Sequence, residues 1–206
     1  MARPRNTKLS REIIGRAAID YVEEGHELQL VPLAQRLGVS VSSLYHHVKG
    51  REGVIRAMRE VLVPSYVPSA TQAQEWATEG WEQRIRREVE LTWKMYAEHP
   101  RVLQLMLTVV IDEPDVLRFY AAMSEALGEA GLPREEILTT IEVIDAFMFG
   151  AALDALSPDE ILRTEDADGK LAELLPTHVT GRERNRRVFD RGLDLILSGV
   201  RARAIA

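Results

Sequence analysis

The chain has 206 residues, a hydrophobic share of 46%, a net charge of −6 and no Cys. That length suits a small module joined to a larger packed domain, and the composition is that of a globular protein rather than a disordered one. The missing thiols exclude disulfides, thiolate metal sites and thiol nucleophiles. No stretch approaches the ~20 apolar residues of a membrane span, and "MARPRNTKLSREIIG" lacks the apolar core of a secretory signal, so a cytoplasmic protein without a membrane partner is expected.

The charge is unevenly spread. Residues 1–59 carry 10 Lys/Arg against 6 acids, whereas residues 60–206 carry 16 against 26. An acidic bulk disfavours indiscriminate adhesion to nucleic acid, while a local positive face steers contact with phosphates. On charge alone an ordinary solvated surface fits equally well.

Apolar residues recur at spacings of 3 and 4 throughout, and no run alternates as a half-buried strand does, so the predicted fold is all-α. Ser10 is placed to cap a first helix over 11–24, with Glu12 in its positive first turn, Leu9 and Ile14 as a hydrophobic staple, and Ile13, Ile14, Ala17, Ala18 and Tyr21 as its inner stripe. A second helix over 31–37 tolerates Pro32 in its first turn and stops at Gly38. Ser40 caps a third over 41–47, in which Leu44 and Val48 share one face and can pack on Leu33, Ala34 and Leu37. The fourth, "REGVIRAMREVLV", runs into "PSYVPSATQ", whose prolines mark the boundary between domains 1–60 and 61–206. Longer helices are expected at 74–98, 101–109, 114–130, 134–156 and 183–203. Residues 157–182 are expected to form a long, partly mobile connection with a helical piece near 170–175.

Two short helices joined by a Gly-containing turn match the helix-turn-helix, whose second helix fits a major groove. The side chains turned outward suit that use. Ser43, Tyr45, His47, Lys49 and Arg51 are donors of the kind that fix phosphates, and Val41 and Ser42 stand where base edges would be met, the Val methyls suiting a thymine methyl. Tyr45 can alternatively be a partly buried anchor. His46 and His47 lie about 100° apart on the helix, which argues against one metal held by both.

The run "LAQRLGVSVSSLYHHVKGREGVIRAM" resembles the DNA-binding signature of TetR-family transcriptional regulators, over residues 10–60. "YAEHPRVLQLM" and "RVFDRGLDLILSGV" resemble, less specifically, segments of the tetracycline-repressor-like C-terminal domain. The resemblance implies an all-helical homodimer with a three-helix DNA-binding head and a ligand-sensing body, its partners being a palindromic double-stranded operator and a small-molecule effector. It places Val41 and Ser42 at base edges and Ser43, Tyr45, His47 and Arg51 at or near phosphates. This chain departs from the family where the second helix begins: Leu30 and Val31 replace the usual polar residues. Sparse base readout is therefore expected, with DNA shape or the arm "ARPRNTK" contributing.

Two stripes in the body are candidates for the dimer seam: Ile141, Ile144, Met148 and Ala151 on one helix, and Leu193, Ile196, Leu197 and Val200 on the last. The same stripes can serve the chain's own core. Trp93, Tyr96, Met106, Phe119, Tyr120, Met123, Phe147 and Met148 form an aromatic and methionine set suited to an adaptable ligand cavity or to plain core filling, and Asp145 is the one acid positioned to select a cationic or hydrogen-bonding ligand. No phosphate-binding, dinucleotide, zincin or nucleophile-elbow motif is present, so neither an enzyme nor a cofactor or metal site is expected. The second reading is a helical adaptor that binds protein, not DNA, through the short module.

Overall fold

The structure, a computed structural model, describes residues 9–163, 165 and 167–204, so the "ARPRNTK" arm lies outside the described residues. The described α-helices are α1 (Arg11–Glu23), α2 (Leu30–Arg36), α3 (Val41–Val48), α4 (Arg51–Leu62), α5 (Ala70–Trp76), α6 (Trp81–Glu98), α7 (Pro100–Met106), α8 (Pro114–Glu129), α9 (Arg134–Leu153), α10 (Gly169–Leu174) and α11 (Gly181–Ala204). No strand occurs among the described residues. The predicted helix over 74–98 is two helices. Ser69 and Gln72 form a reciprocal capping box that starts α5, and extended backbone at Gly80 restarts the chain as α6.

One compact unit comprises the chain up to Val67 together with Arg101–Leu117. The Ser10 hydroxyl accepts from the Ile13 amide at 3.2 Å and opens α1, which buries Ile14, Gly15, Ala18, Ile19 and Val22. Ile13, Ala17 and Tyr21, expected on the inner stripe, are only half-buried. The stripe is rotated because Gly15 faces α4: a Cβ there would lie 2.3 Å from the Ala57 carbonyl oxygen, so only glycine permits this approach. Leu33, Ala34, Leu44, Val48, Val54, Ile55, Ala57 and Met58 complete the core, each at most 2% exposed. Burying one such aliphatic side chain contributes roughly 1.5–3 kcal/mol.

The second unit comprises Pro68–Pro100 and Arg118–Ala206. Helix α9 packs against α6 and α11. Its interior holds Ile85 and Val89 from α6, Met123 and Leu127 from α8, Ile141, Ile144 and Met148 from α9, and Phe189, Leu193 and Leu197 from α11, all buried. Close packing is again set by a glycine, since a Cβ on Gly192 would lie 2.2 Å from the Phe147 ring. At the start of α11, Arg184 donates to the Pro158 and Asp159 carbonyls and pairs with Asp154 at 2.9 Å, tying down the beginning of the 157–182 connection.

Candidate nucleic-acid interface and body interior

Helix α3 is built to present side chains. The Ser40 hydroxyl accepts from the Ser43 amide at 3.1 Å, an N-cap worth about 1 kcal/mol. Leu44 and Val48 are sealed beneath, at 0% and 2% exposure. What remains faces outward: Val41, Ser42, Tyr45, Lys49 and Arg51 are exposed, Ser43 and His47 half-buried. Tyr45 is 55% exposed, so much of its ring is open to solvent. Lys49 takes a left-handed conformation (φ 54°), reversing the chain so that Arg51 opens α4 beside the end of α3. The turn is tight enough that a Cβ on Gly53 would meet the Val48 carbonyl oxygen at 1.5 Å. Arg11 braces the same end, donating to the His47 carbonyl at 3.4 Å and to Glu60 at 2.9 Å, and that side-chain bond to Glu60 raises its pKa. Val31 is 53% exposed at the start of α2, an apolar group where a polar contact was missing from the sequence.

Within the body, the residues expected to line a ligand cavity fall into separate groups. Trp93 stacks on Phe189 at 4.2 Å between centroids, and Phe147 stacks on the same ring at 6.0 Å. Arg186, held by Glu90 and Asp190, lies 5.4 Å from the Trp93 ring centroid. The indole N–H of Trp93 is buried without an acceptor. Asp145 and Phe119 converge instead on Tyr120: the Tyr120 hydroxyl donates to Asp145 Oδ2 at 2.5 Å, and the Phe119 ring meets Tyr120 edge-on at 5.5 Å. Burial lifts the Asp145 carboxyl from 3.8 to about 6, a shift opposed by the Tyr120 hydrogen bond and reinforced by the charge of Glu142. Tyr96 meets Phe149 at 5.0 Å, and Met123 is wholly buried. Met106 belongs to the other unit, where its carbonyl accepts from Arg59.

The stripes expected at a dimer seam require correction. Ile141, Ile144, Met148, Ala151, Leu193, Leu197 and Val200 are buried within the single chain, and of the set only Ile196 is half-exposed. The outward faces of the same helices carry Leu138, Val143, Val188 and Leu195, each 45–65% exposed. Between α9 and α11 runs a groove of about 520 Å³, lined by Val143, Leu195, Ile196 and Gly199 with Glu136 and Arg203 at its rim.

One residue that matters to the fold is not legible as such in the sequence. Arg59 was counted only as charge, although it continues the Ile55 stripe at i+4 and is 4% exposed. Phe189, whose spacing continues the Leu193 and Leu197 stripe of the last helix, is the centre of the aromatic stack. Among the described residues no cluster of three or more His, Asp or Glu is placed to hold a metal, and no helix is long and apolar enough to cross a membrane.

A three-helix head with an outward recognition helix, followed by a larger helical body, defines the class of helix-turn-helix regulators with an appended helical domain. The family profile described as "Tetracyclin repressor-like, C-terminal domain" matches residues 75–204, and the chain belongs to that family, the TetR regulators. It is 27% identical over 158 residues to the HTH-type transcriptional repressor DrrR1 of Streptomyces coeruleorubidus, a match spanning 75% of this chain and 57% of that repressor. Its fold is similar to a possible TetR family transcriptional regulator from Streptomyces coelicolor A3(2) (TM-score 0.76, 22% identity, 94% of this chain and 99% of that one). It is also similar to Streptomyces coelicolor ActR in complex with actinorhodin (TM-score 0.72, 18% identity, 94% and 96%). At those identities the structural matches establish the fold alone.

Proposed function

We propose that this chain is a cytoplasmic, non-catalytic transcriptional repressor that binds a palindromic operator as a homodimer and is released by a small-molecule effector. The observation that carries the reading is α3: it is capped at Ser40, anchored by Leu44 and Val48, and turns Val41, Ser42 and Tyr45 outward beside a tight turn into α4, where Arg51 is exposed. Such an arrangement suits a major groove, with hydroxyl, phenol and guanidinium donors meeting phosphates while Val41 and Ser42 reach base edges. The similarity to a named repressor, and to ActR crystallised with actinorhodin, supports the same reading.

Dimerisation through the outward faces of α9 and α11 completes it. Val143 and Leu195 line the groove between these helices, Leu138 and Val188 are exposed on the same helices, and burial against a second copy would remove this apolar surface from water. The effector acts by population shift: whatever binds best to a body conformation that disfavours the operator lowers DNA affinity by its differential affinity for the two states.

The test is operator selection from a random duplex pool, followed by binding at increasing salt. Recovery of a two-fold symmetric site bound at nanomolar concentration is the expected result. Binding that shows no sequence preference at any salt, or none at all, would remove the repressor reading and leave the protein-binding adaptor.

A further inference from the structure

Every buried charge among the described residues is matched by an opposite charge, with one exception. Glu88, 7% exposed, takes both nitrogens of Arg118 at 2.8 and 3.0 Å. Arg59 is paired with Glu113 at 3.0 Å, and Arg184 with Asp154 at 2.9 Å. Asp145 is as buried as these, at 6% exposure, yet its only bonded partner is the neutral Tyr120 hydroxyl. No lysine, arginine or histidine is paired with it. A carboxylate taken from water without a cation is costly, and the other three sites show that this chain otherwise supplies the counter-charge itself.

We infer that Asp145 and Tyr120 form the polar end of the effector site and that the effector is a cation: an organic ammonium attached to an aromatic or otherwise apolar body. This rests on the repressor reading and names the ligand class for it. The surroundings favour an organic cation over a metal ion. One carboxylate and one phenol give too few donors for a metal, whereas the Tyr120 and Phe119 rings, edge to face at 5.5 Å, offer π-faces that attract an ammonium and apolar area for its carbon frame.

The ionisation of Asp145 then gates recognition. The titratable groups whose fields reach it are Tyr120 on α8 and Glu142 on its own helix; none on α6 or α11 contributes, Glu88 being neutralised by Arg118. Since burial keeps the carboxyl protonated up to about pH 6, the ammonium is recognised above that pH and refused below it.

The experiment compares 2-(2-naphthyl)ethylammonium with 2-(2-naphthyl)ethanol, which differ in charge and little in shape, by calorimetric titration of the full chain. At pH 7.5 the ammonium should bind at least tenfold more tightly than the alcohol, and its affinity should fall by about tenfold per pH unit below 6 while that of the alcohol stays level. Asp145→Asn, which keeps an acceptor for Tyr120, should erase both the preference and the pH dependence without loss of operator binding; Tyr120→Phe should retain the preference. Equal affinities, failure of both compounds to bind at millimolar concentration, or a preference that survives Asp145→Asn would each overturn the inference. The repressor reading fails separately: if the ammonium binds in an Asp145-dependent way but leaves operator affinity unchanged, the cation site stands and its role as effector site falls.

Discussion

Arg59 and Glu113 form an ion pair nearly sealed from water: one guanidinium nitrogen lies 3.1 and 3.0 Å from the two carboxylate oxygens, with the side chains 4% and 11% exposed. The same guanidinium donates to the carbonyls of Met106, Val109 and Val110. Met106 closes α7 and Val109 and Val110 follow it, so a single side chain from α4 serves a helix terminus and a loop at once. Arg56, one turn earlier, holds Asp112.

Arg59→Met should therefore destabilise the unit built from the head and residues 101–117 by about 3–5 kcal/mol, because it strands a buried carboxylate and several carbonyls. Arg59→Lys should recover only part of this, since an ammonium cannot reproduce the planar spread of donors. Urea denaturation of both variants measures it; a loss below about 1 kcal/mol for Arg59→Met would show that water takes over these contacts.

On the recognition face, Tyr45→Ala and Arg51→Ala should weaken operator binding uniformly across sequences, by about five- to tenfold each. Arg51→Ala should also reduce the salt slope by about one phosphate's share, near 0.9. Val41→Ala should instead relax the preference at one base pair per half-site. A selection repeated with each variant separates the outcomes, and an unchanged salt slope for Arg51→Ala would move that residue away from the phosphates.

The head was legible because each of its devices is local. Ser40 before apolar residues four and eight positions on, Leu44 and Val48, then a Lys-Gly reversal, specify α3 from within a dozen residues. Other features depend on what lies opposite. Ile141, Ile144 and Met148 announce a buried face by their spacing, but spacing does not say whether the covering surface is the chain's own α6 or a second copy. The outward neighbours Val143 and Ala146 carry a weaker apolar pattern, broken by the charges around them, and spacing alone does not set that face apart from a solvated one. Arg59 is hidden in the same way: a charge on an apolar stripe is explained only by the carbonyls brought to it from 47 to 51 positions away. The break between α5 and α6 is not legible in the sequence because Gly80 stands within an otherwise continuous helical pattern.

These placements change what a test of the dimer must use. Leu197 is fully buried within the chain, so Leu197→Ala should cost about 2–5 kcal/mol of folding stability whatever the oligomeric state. Leu195→Arg, at a site 58% exposed, should leave the monomer folded and break the dimer. Light scattering at micromolar concentration beside a melting curve distinguishes them; a Leu195→Arg protein that remains dimeric places the seam on another surface.

Asp145 offers a test that needs no ligand. In the unfolded chain its carboxyl ionises near 3.8, and in the folded one at about 6. Between those values the folded state keeps a proton that the unfolded state has released. Its contribution to stability is thus fully present below pH 3.8, is lost as the pH rises to about 6, and stays lost above it, a total of about 3 kcal/mol. Asp145→Asn cannot ionise and keeps an acceptor for the Tyr120 hydroxyl. The variant should therefore match the wild type near pH 4, gain on it steadily up to pH 6, and hold a constant advantage from there to pH 8. Urea denaturation at half-unit steps of pH traces this curve. An advantage that is independent of pH would mean that Asn improves packing rather than removing a charge. A variant weaker than wild type at pH 8 would mean that the ionised carboxylate is compensated in the folded protein, and would remove the unmatched charge from which the cationic effector was inferred.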